Sequence, residues 1–241
     1  MRLRRSPSRG QRLWTGKAGS TASARWSRLC TTQAAACAAS AAELKRRIGL
    51  FGGSFDPVHL AHLALARQAL EQLQLDELRW VPVGQAWQKA RAMTPAPQRE
   101  AMLQLALDGE PRFMLERCEL QRAGPSYTLD TLRELQAATP GAHWFLLIGQ
   151  DQYRNLHTWH GVDELLQRVT LAVAQRPGEP AEADARVRAA PMVVLALPPM
   201  DISATDIRHH VAAGKDISAL VPPTVALYIH QQGLYRGIAG S

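Results

Sequence analysis

Two histidines three residues apart, His59 and His62, follow closely on the run Gly52-Gly53-Ser54-Phe55-Asp56-Pro57. Residues at that spacing share one face of a helix. Two imidazoles side by side at a helix start could donate hydrogen bonds to phosphate oxygens as charge builds in a transition state. The apolar residues 48–51 before the glycine pair read as a buried strand. Strand, tight turn and helix start together make an anion site, because backbone N–H groups and the helix dipole converge there. Asp56 is expected to cap the helix and Pro57 to suit its first turn. A zinc pair is a weak alternative, since two ligands lack a third. Two ordinary surface histidines would be the bland alternative, and the preceding glycine-rich turn decides against it.

A second constellation lies late in the chain, at Ile202-Ser203-Ala204-Thr205-Asp206-Ile207-Arg208. Ser203 and Asp206 read as a capping pair at a helix start, and Gly214 is expected to close that helix. Arg208, about one turn in, could clamp phosphate oxygens bidentately. Alone this would be a plain capped helix with a surface arginine. In a chain that already carries one phosphate site, it reads as a second.

The elements that must position these residues alternate. Strands are expected at 47–51, 78–83, 113–116, 144–148, 170–174 and 193–197. Helices are expected at 57–73, 98–107, 127–137, 162–167, 204–213 and 224–232. Such alternation argues for an α/β fold of Rossmann-like type: a parallel sheet with helices on both faces and a small C-terminal helical part. Ligands of such sheets bind at the carboxyl ends of the strands. Residues 176–190, with Pro177, Gly178 and Pro180, read as a loop that carries a short helix.

The chain has 241 residues, 46% of them apolar and 20% charged, as in ordinary globular proteins. Its net charge of +7 suggests nucleic acid until its distribution is read. Residues 1–42 hold eight Lys or Arg and no acid, while the rest holds twenty basic residues against all 21 acidic ones. Residues 1–43 are therefore expected to be a disordered basic tail, translated from a start placed too far upstream, and 44–241 the working domain. That domain has no bulk electrostatic reason to bind nucleic acid. Binding of nucleic acid through the tail predicts that deleting it abolishes function, whereas deletion is expected to be neutral. Cys30, Cys37 and Cys118 have no metal-site spacing, and their odd, sparse count suits a reducing compartment. No run reaches the length of a membrane span. The cytoplasm is the expected location, and no protein metal site is expected.

Here the residues resemble a known family. GGSFDPVHLAH is similar to the HxGH signature of the nucleotidyltransferase superfamily, and ISATDIR to its second signature, ISxTxIR. QRAGPSYTLDTL (121–132), IGQDQYRNLHTWH (148–160) and YIHQQGLYR (228–236) narrow the resemblance to the bacterial nicotinate-nucleotide adenylyltransferases. It spans residues 48–236. The resemblance implies that Gly52, Gly53 and Ser54 lie along the nucleotide phosphates, with Phe55 in the same ATP-binding turn. It implies that His59 and His62 stabilise the α-phosphate transition state and the leaving pyrophosphate. Ile202, Ser203, Thr205 and Arg208 would hold ATP, and Gly149 and Asp151 would lie near adenosine and ribose. Thr128 and His160 would offer backbone N–H groups to a nicotinate carboxylate while Trp159 stacks on the pyridine ring, an aromatic platform suited to a flat electron-poor ring.

The implied reaction moves AMP from ATP to nicotinate mononucleotide, giving deamido-NAD and pyrophosphate in NAD biosynthesis. Magnesium would be held mainly by the triphosphate, since it keeps its waters and needs few protein ligands. ATP and nicotinate mononucleotide are the expected partners, with a homo-oligomer possible. Two departures stand out. Ala61 replaces the glycine of HxGH, and its methyl is expected to shift the base or slightly weaken ATP binding. The loop after the second strand reads Gln85-Ala86-Trp87-Gln88-Lys89-Ala90-Arg91. It lacks the family's histidine, leaving Lys89 as the phosphate-binding cation and Trp87 as a candidate cover. The alternatives are another acceptor (nicotinamide mononucleotide or phosphopantetheine), a cytidylyl transfer from CTP, and a non-catalytic nucleotide sensor.

Overall fold

The computed structural model describes residues 45–85, 93–175, 183–197 and 200–237. The expected tail, Trp87 and Lys89 lie outside these residues.

Strand β4 (His143–Gly149) shows how the sheet is built. Its side chains alternate between faces. Trp144, Leu146 and Ile148 enter one apolar cluster, and Phe145 and Leu147 enter the other. Both faces must therefore be covered, as in parallel sheets generally. β1 (Arg47–Gly53), β2 (Glu77–Pro82), β3 (Phe113–Leu115), β5 (Thr170–Gln175) and β6 (Met192–Ala196) complete a six-stranded parallel sheet in the order β3-β2-β1-β4-β5-β6.

Helices α1 (Leu60–Gln72), α2 (Ala96–Leu107) and α9 (Pro223–Gln231) cover one face through Leu70, Leu103 and Ile229. Helices α4 (Thr128–Ala138) and α6 (Val162–Arg168) cover the other through Leu132 and Leu165. Each such fully buried leucine contributes about 1.5–3 kcal/mol relative to exposure. The remaining helices are α3 (Cys118–Gln121), α5 (Gln150–Asn155), α7 (Ala185–Arg188) and α8 (Ala204–Ala212). The strand order reverses between β1 and β4, so their adjacent carboxyl ends diverge into helices on opposite faces and open a crevice.

The expected strands and long helices are present with shifted ends, and α7 supplies the short helix expected within 176–190. One start differs in kind. The first helix begins at Leu60, not residue 57, and its N-cap is His59 rather than Asp56. The Asp56 carboxylate is already engaged by the Tyr235 hydroxyl at 2.8 Å and the Thr94 N–H at 3.3 Å, so it does not cap. Cys118 opens α3. α3 and α5 were not anticipated; both are too short to show a helical period.

Candidate active site

A cavity of about 430 Å³ sits over the carboxyl ends of β1, β2 and β4. Its lining includes Gly52, Gly53, Ser54 and His62 from the first segment, Tyr127, Thr128, Trp159 and His160 from two others, and Gly149 at the end of β4. The sequence segments suspected of binding phosphate and an aromatic ring thus meet in one space.

The histidines are not equivalent. Their rings stack at 3.6 Å between centroids, and only His62 lines the cavity. His59 is 6% exposed, and burial lowers its pKa to about 4, so it is neutral near pH 7. The His59 backbone N–H donates to His62 Nδ1 at 3.2 Å. That bond leaves the proton of a neutral His62 on Nε2, making that nitrogen a donor. Phe55 packs its ring edge-on against His62 at 5.2 Å, so His62 is held between His59 and an aromatic cluster of Phe51, Phe55 and Trp80.

Phe55 itself makes the turn. Its backbone is left-handed at φ 46, uncommon for a bulky residue and often found at functional loops. Its side chain is 1% exposed and belongs to the core, not to the cavity. Gly53 permits this, since a Cβ there would lie 2.9 Å from the Phe55 ring. The first N–H of α1, on Leu60, is taken by the Leu220 carbonyl at 3.0 Å and so is not a phosphate donor.

The second constellation forms the expected cap: Ser203 Oγ accepts from the Asp206 N–H at 3.1 Å, and Gly214 follows α8 at φ +67. Ile202, Ser203, Thr205 and Arg208 do not line the cavity. Arg208 reaches the glycine-rich turn instead, donating to the Asp56 carbonyl at 2.8 Å and to Thr205 Oγ1 at 3.0 Å. Asp151 points to solvent near Arg154, and its neighbour Gln152 lines the cavity in its place. Ala61 is half-buried in the first turn of α1.

Several residues of the site were not legible in the sequence. Arg99 is buried and ties the turn to the segment entering α2, donating to the carbonyls of Ser54 at 3.0 Å and Thr94 at 2.9 Å. Burial raises the Tyr235 pKa, reinforced by the adjacent Asp56 charge, so its hydroxyl stays a donor. Glu119 is buried in the cavity wall, accepts from Thr131 Oγ1 at 2.8 Å, and has its pKa raised by burial. An acidic residue inside an otherwise modest segment next to GPSYT was the available clue. Tyr127 and His160 stack at 4.4 Å, joining the two segments of the ring-side wall. Burial also pushes the Cys118 thiol up to about 11, which leaves it unreactive near neutrality.

The cytidylyltransferase-like family matches residues 50–210. A protein of Methylibium petroleiphilum described as "Probable nicotinate-nucleotide adenylyltransferase" is 53% identical over 202 residues, covering 79% of this chain and 93% of its own. One of Thermus thermophilus with the same description is 44% identical over 190 residues, covering 79% and 100%. A solved structure of Plasmodium falciparum nicotinic acid mononucleotide adenylyltransferase complexed with NaAD has the same fold, with a TM-score of 0.67 at 18% identity, covering 79% of this chain and 97% of that one.

Proposed function

The chain belongs to the nicotinate-nucleotide adenylyltransferase family, and from that premise we propose that it transfers AMP from MgATP to nicotinate mononucleotide, forming deamido-NAD and pyrophosphate. The observation that carries the reading is the single cavity lined by the glycine-rich turn and His62 together with Thr128, Trp159 and His160. In this reading the glycine-rich turn takes the phosphates and the aromatic side of the same cavity takes the pyridine ring.

In this reading a phosphate oxygen of the mononucleotide attacks the α-phosphorus of ATP. The bond to the bridging oxygen of the β-phosphate breaks, and pyrophosphate leaves. The nucleophile is already ionised at neutral pH, so no side chain must deprotonate it. The protein aligns the two phosphates and stabilises developing charge. His62 donates from Nε2 to the reacting phosphate, held in place by stacking on His59 and by the His59 N–H. Arg208 braces the turn through the Asp56 carbonyl. The first N–H groups of α4 receive the nicotinate carboxylate, where the helix dipole favours an anion. Magnesium is proposed to arrive on the triphosphate, since it keeps its waters and needs few protein ligands. Among the described residues no helix is long and apolar enough to cross a membrane, and the cytoplasm is the proposed location.

The test is pyrophosphate release from MgATP, with nicotinate and nicotinamide mononucleotides as parallel acceptors. A strong preference for the acid is expected, and His62→Ala is expected to lower kcat roughly 100- to 1000-fold with little change in mononucleotide binding. Release with neither acceptor, or near-normal turnover in His62→Ala and His59→Ala, would refute the assignment or the role of the pair respectively.

A further inference from the structure

Glu119 is a carboxylate that the reaction does not use, yet it is 7% exposed and stands in the wall of the reaction cavity. Burying an ionised carboxylate is costly unless it is hydrogen-bonded. This one accepts from the Thr131 hydroxyl at 2.8 Å, and the Ser126 hydroxyl and the Gly84 N–H, from two further segments, also favour its ionised form. Gly84 follows β2, Ser126 closes the Gly-Pro-Ser loop, and Thr131 lies in the first turns of α4. The fit admits no slack, for a Cβ on Gly84 would lie 2.0 Å from the Glu119 carbonyl oxygen. Ser126 and Gln85 add a backbone bond at 3.2 Å across the same junction. Arg122 lies behind, donating to Thr131 Oγ1 at 3.1 Å.

The three anchored points bracket the start of α4. Asp130 and Thr131 send their N–H groups back to the Tyr127 carbonyl. The N–H groups of Thr128 and Leu129 therefore come before the first intrahelical bond. Where they point is set by Ser126 on one side and Thr131 on the other, both held by Glu119. We propose that Glu119 is a positioning residue that fixes the N-terminus of α4 against the exit of β2, and thereby sets the discrimination between a carboxylate and a carboxamide on the acceptor ring. The inference rests on the acceptor proposed above. A carboxamide carries no charge for the helix end to favour, so aim matters more for the acid than for the amide.

The role has a distinctive sign. If Glu119 acted only as a negative charge near the acceptor carboxylate, Glu119→Gln would tighten binding of the acid. As a positioning group it does the reverse, because one amide oxygen cannot serve three donors and the NH2 group must face one of them. Leaving buried donors unpaired costs enough to expect a rise in KM for nicotinate mononucleotide of roughly 10- to 100-fold in Glu119→Ala. Glu119→Gln should fall between Ala and wild type. KM for ATP should stay within about twofold in both, and the preference for acid over amide should fall in parallel with the rise.

The experiment measures both KM values and the two-acceptor ratio well below each variant's unfolding midpoint, with calorimetric binding of nicotinate mononucleotide beside it. If Glu119→Ala does not fold, Glu119→Gln and Thr131→Val carry the test. Unchanged acid KM and selectivity with only lowered stability would overturn the proposal, as would tighter acid binding in Glu119→Gln. Wild-type protein that neither turns over nor binds nicotinate mononucleotide would instead overturn the functional reading beneath it, and the inference with it.

Discussion

At the scale of single residues, His59 has a consequence in solution. Unfolded, its imidazole takes a proton near pH 6.5; folded, burial postpones this to about pH 4. Between those values the unfolded chain binds more protons than the folded one. Stability therefore rises with pH across this window and is lost as pH falls through it. The loss amounts to at most about 3 kcal/mol at the acid end. Urea midpoints between pH 7 and pH 4.5 should fall accordingly, and His59→Asn should flatten that slope. An unaltered slope in the variant would place the acid sensitivity elsewhere. The spacing of His59 and His62 was legible in the sequence. Their division into a stacked inner ring and a cavity-facing outer ring was not, because burial depends on Phe51 and Trp80, from two different strands, and on Phe55, from the turn after the first.

At the scale of elements, capping explains both what could be read and what could not. Ser203 and Asp206 follow a local rule, and α8 starts where that rule places it. Ser203→Ala should cost about 1 kcal/mol by urea denaturation, with Ser203→Asn restoring most of it. Equal midpoints for wild type and Ser203→Ala would mean that packing of Ile207 alone holds the helix. Asp56 obeys no such local rule. It is a good capping residue by type, but Tyr235 and Thr94 claim its carboxylate from 179 and 38 positions away. The helix start then passes to His59. Helices α3 and α5 were illegible for a different reason: four and six residues cannot display a helical period, and tertiary contacts fix them.

At the scale of the whole molecule, a parallel sheet covered on both faces follows from alternation along the chain, whereas the crevice between β1 and β4 follows from the strand order, which alternation does not fix. The covered sheet was available from apolar periodicity and glycine-rich turns. What lies beneath the glycine-rich turn was not, because Arg99, Asp56, Arg208 and Tyr235 are scattered along the sequence and meet only on folding. Tyr235→Phe tests their cooperation. Removing one donor from a buried carboxylate should lower stability by about 1–3 kcal/mol. Turnover should fall as well, since Asp56 also receives Arg208. If stability and turnover both stay at wild-type levels, the Asp56 carboxylate does not need this partner.

The bond from Tyr235 to Asp56 also bears on how the protein is made. A ribosome extends a chain by roughly 5–20 residues each second, so Asp56 waits on the order of ten to forty seconds for a partner 179 residues downstream. Until then the glycine-rich turn has its sequence but not its support. A nascent or prematurely terminated chain would therefore be slow to trap nucleotide, and competence for catalysis would arrive with the last stretch of translation rather than with the motif that first suggested it.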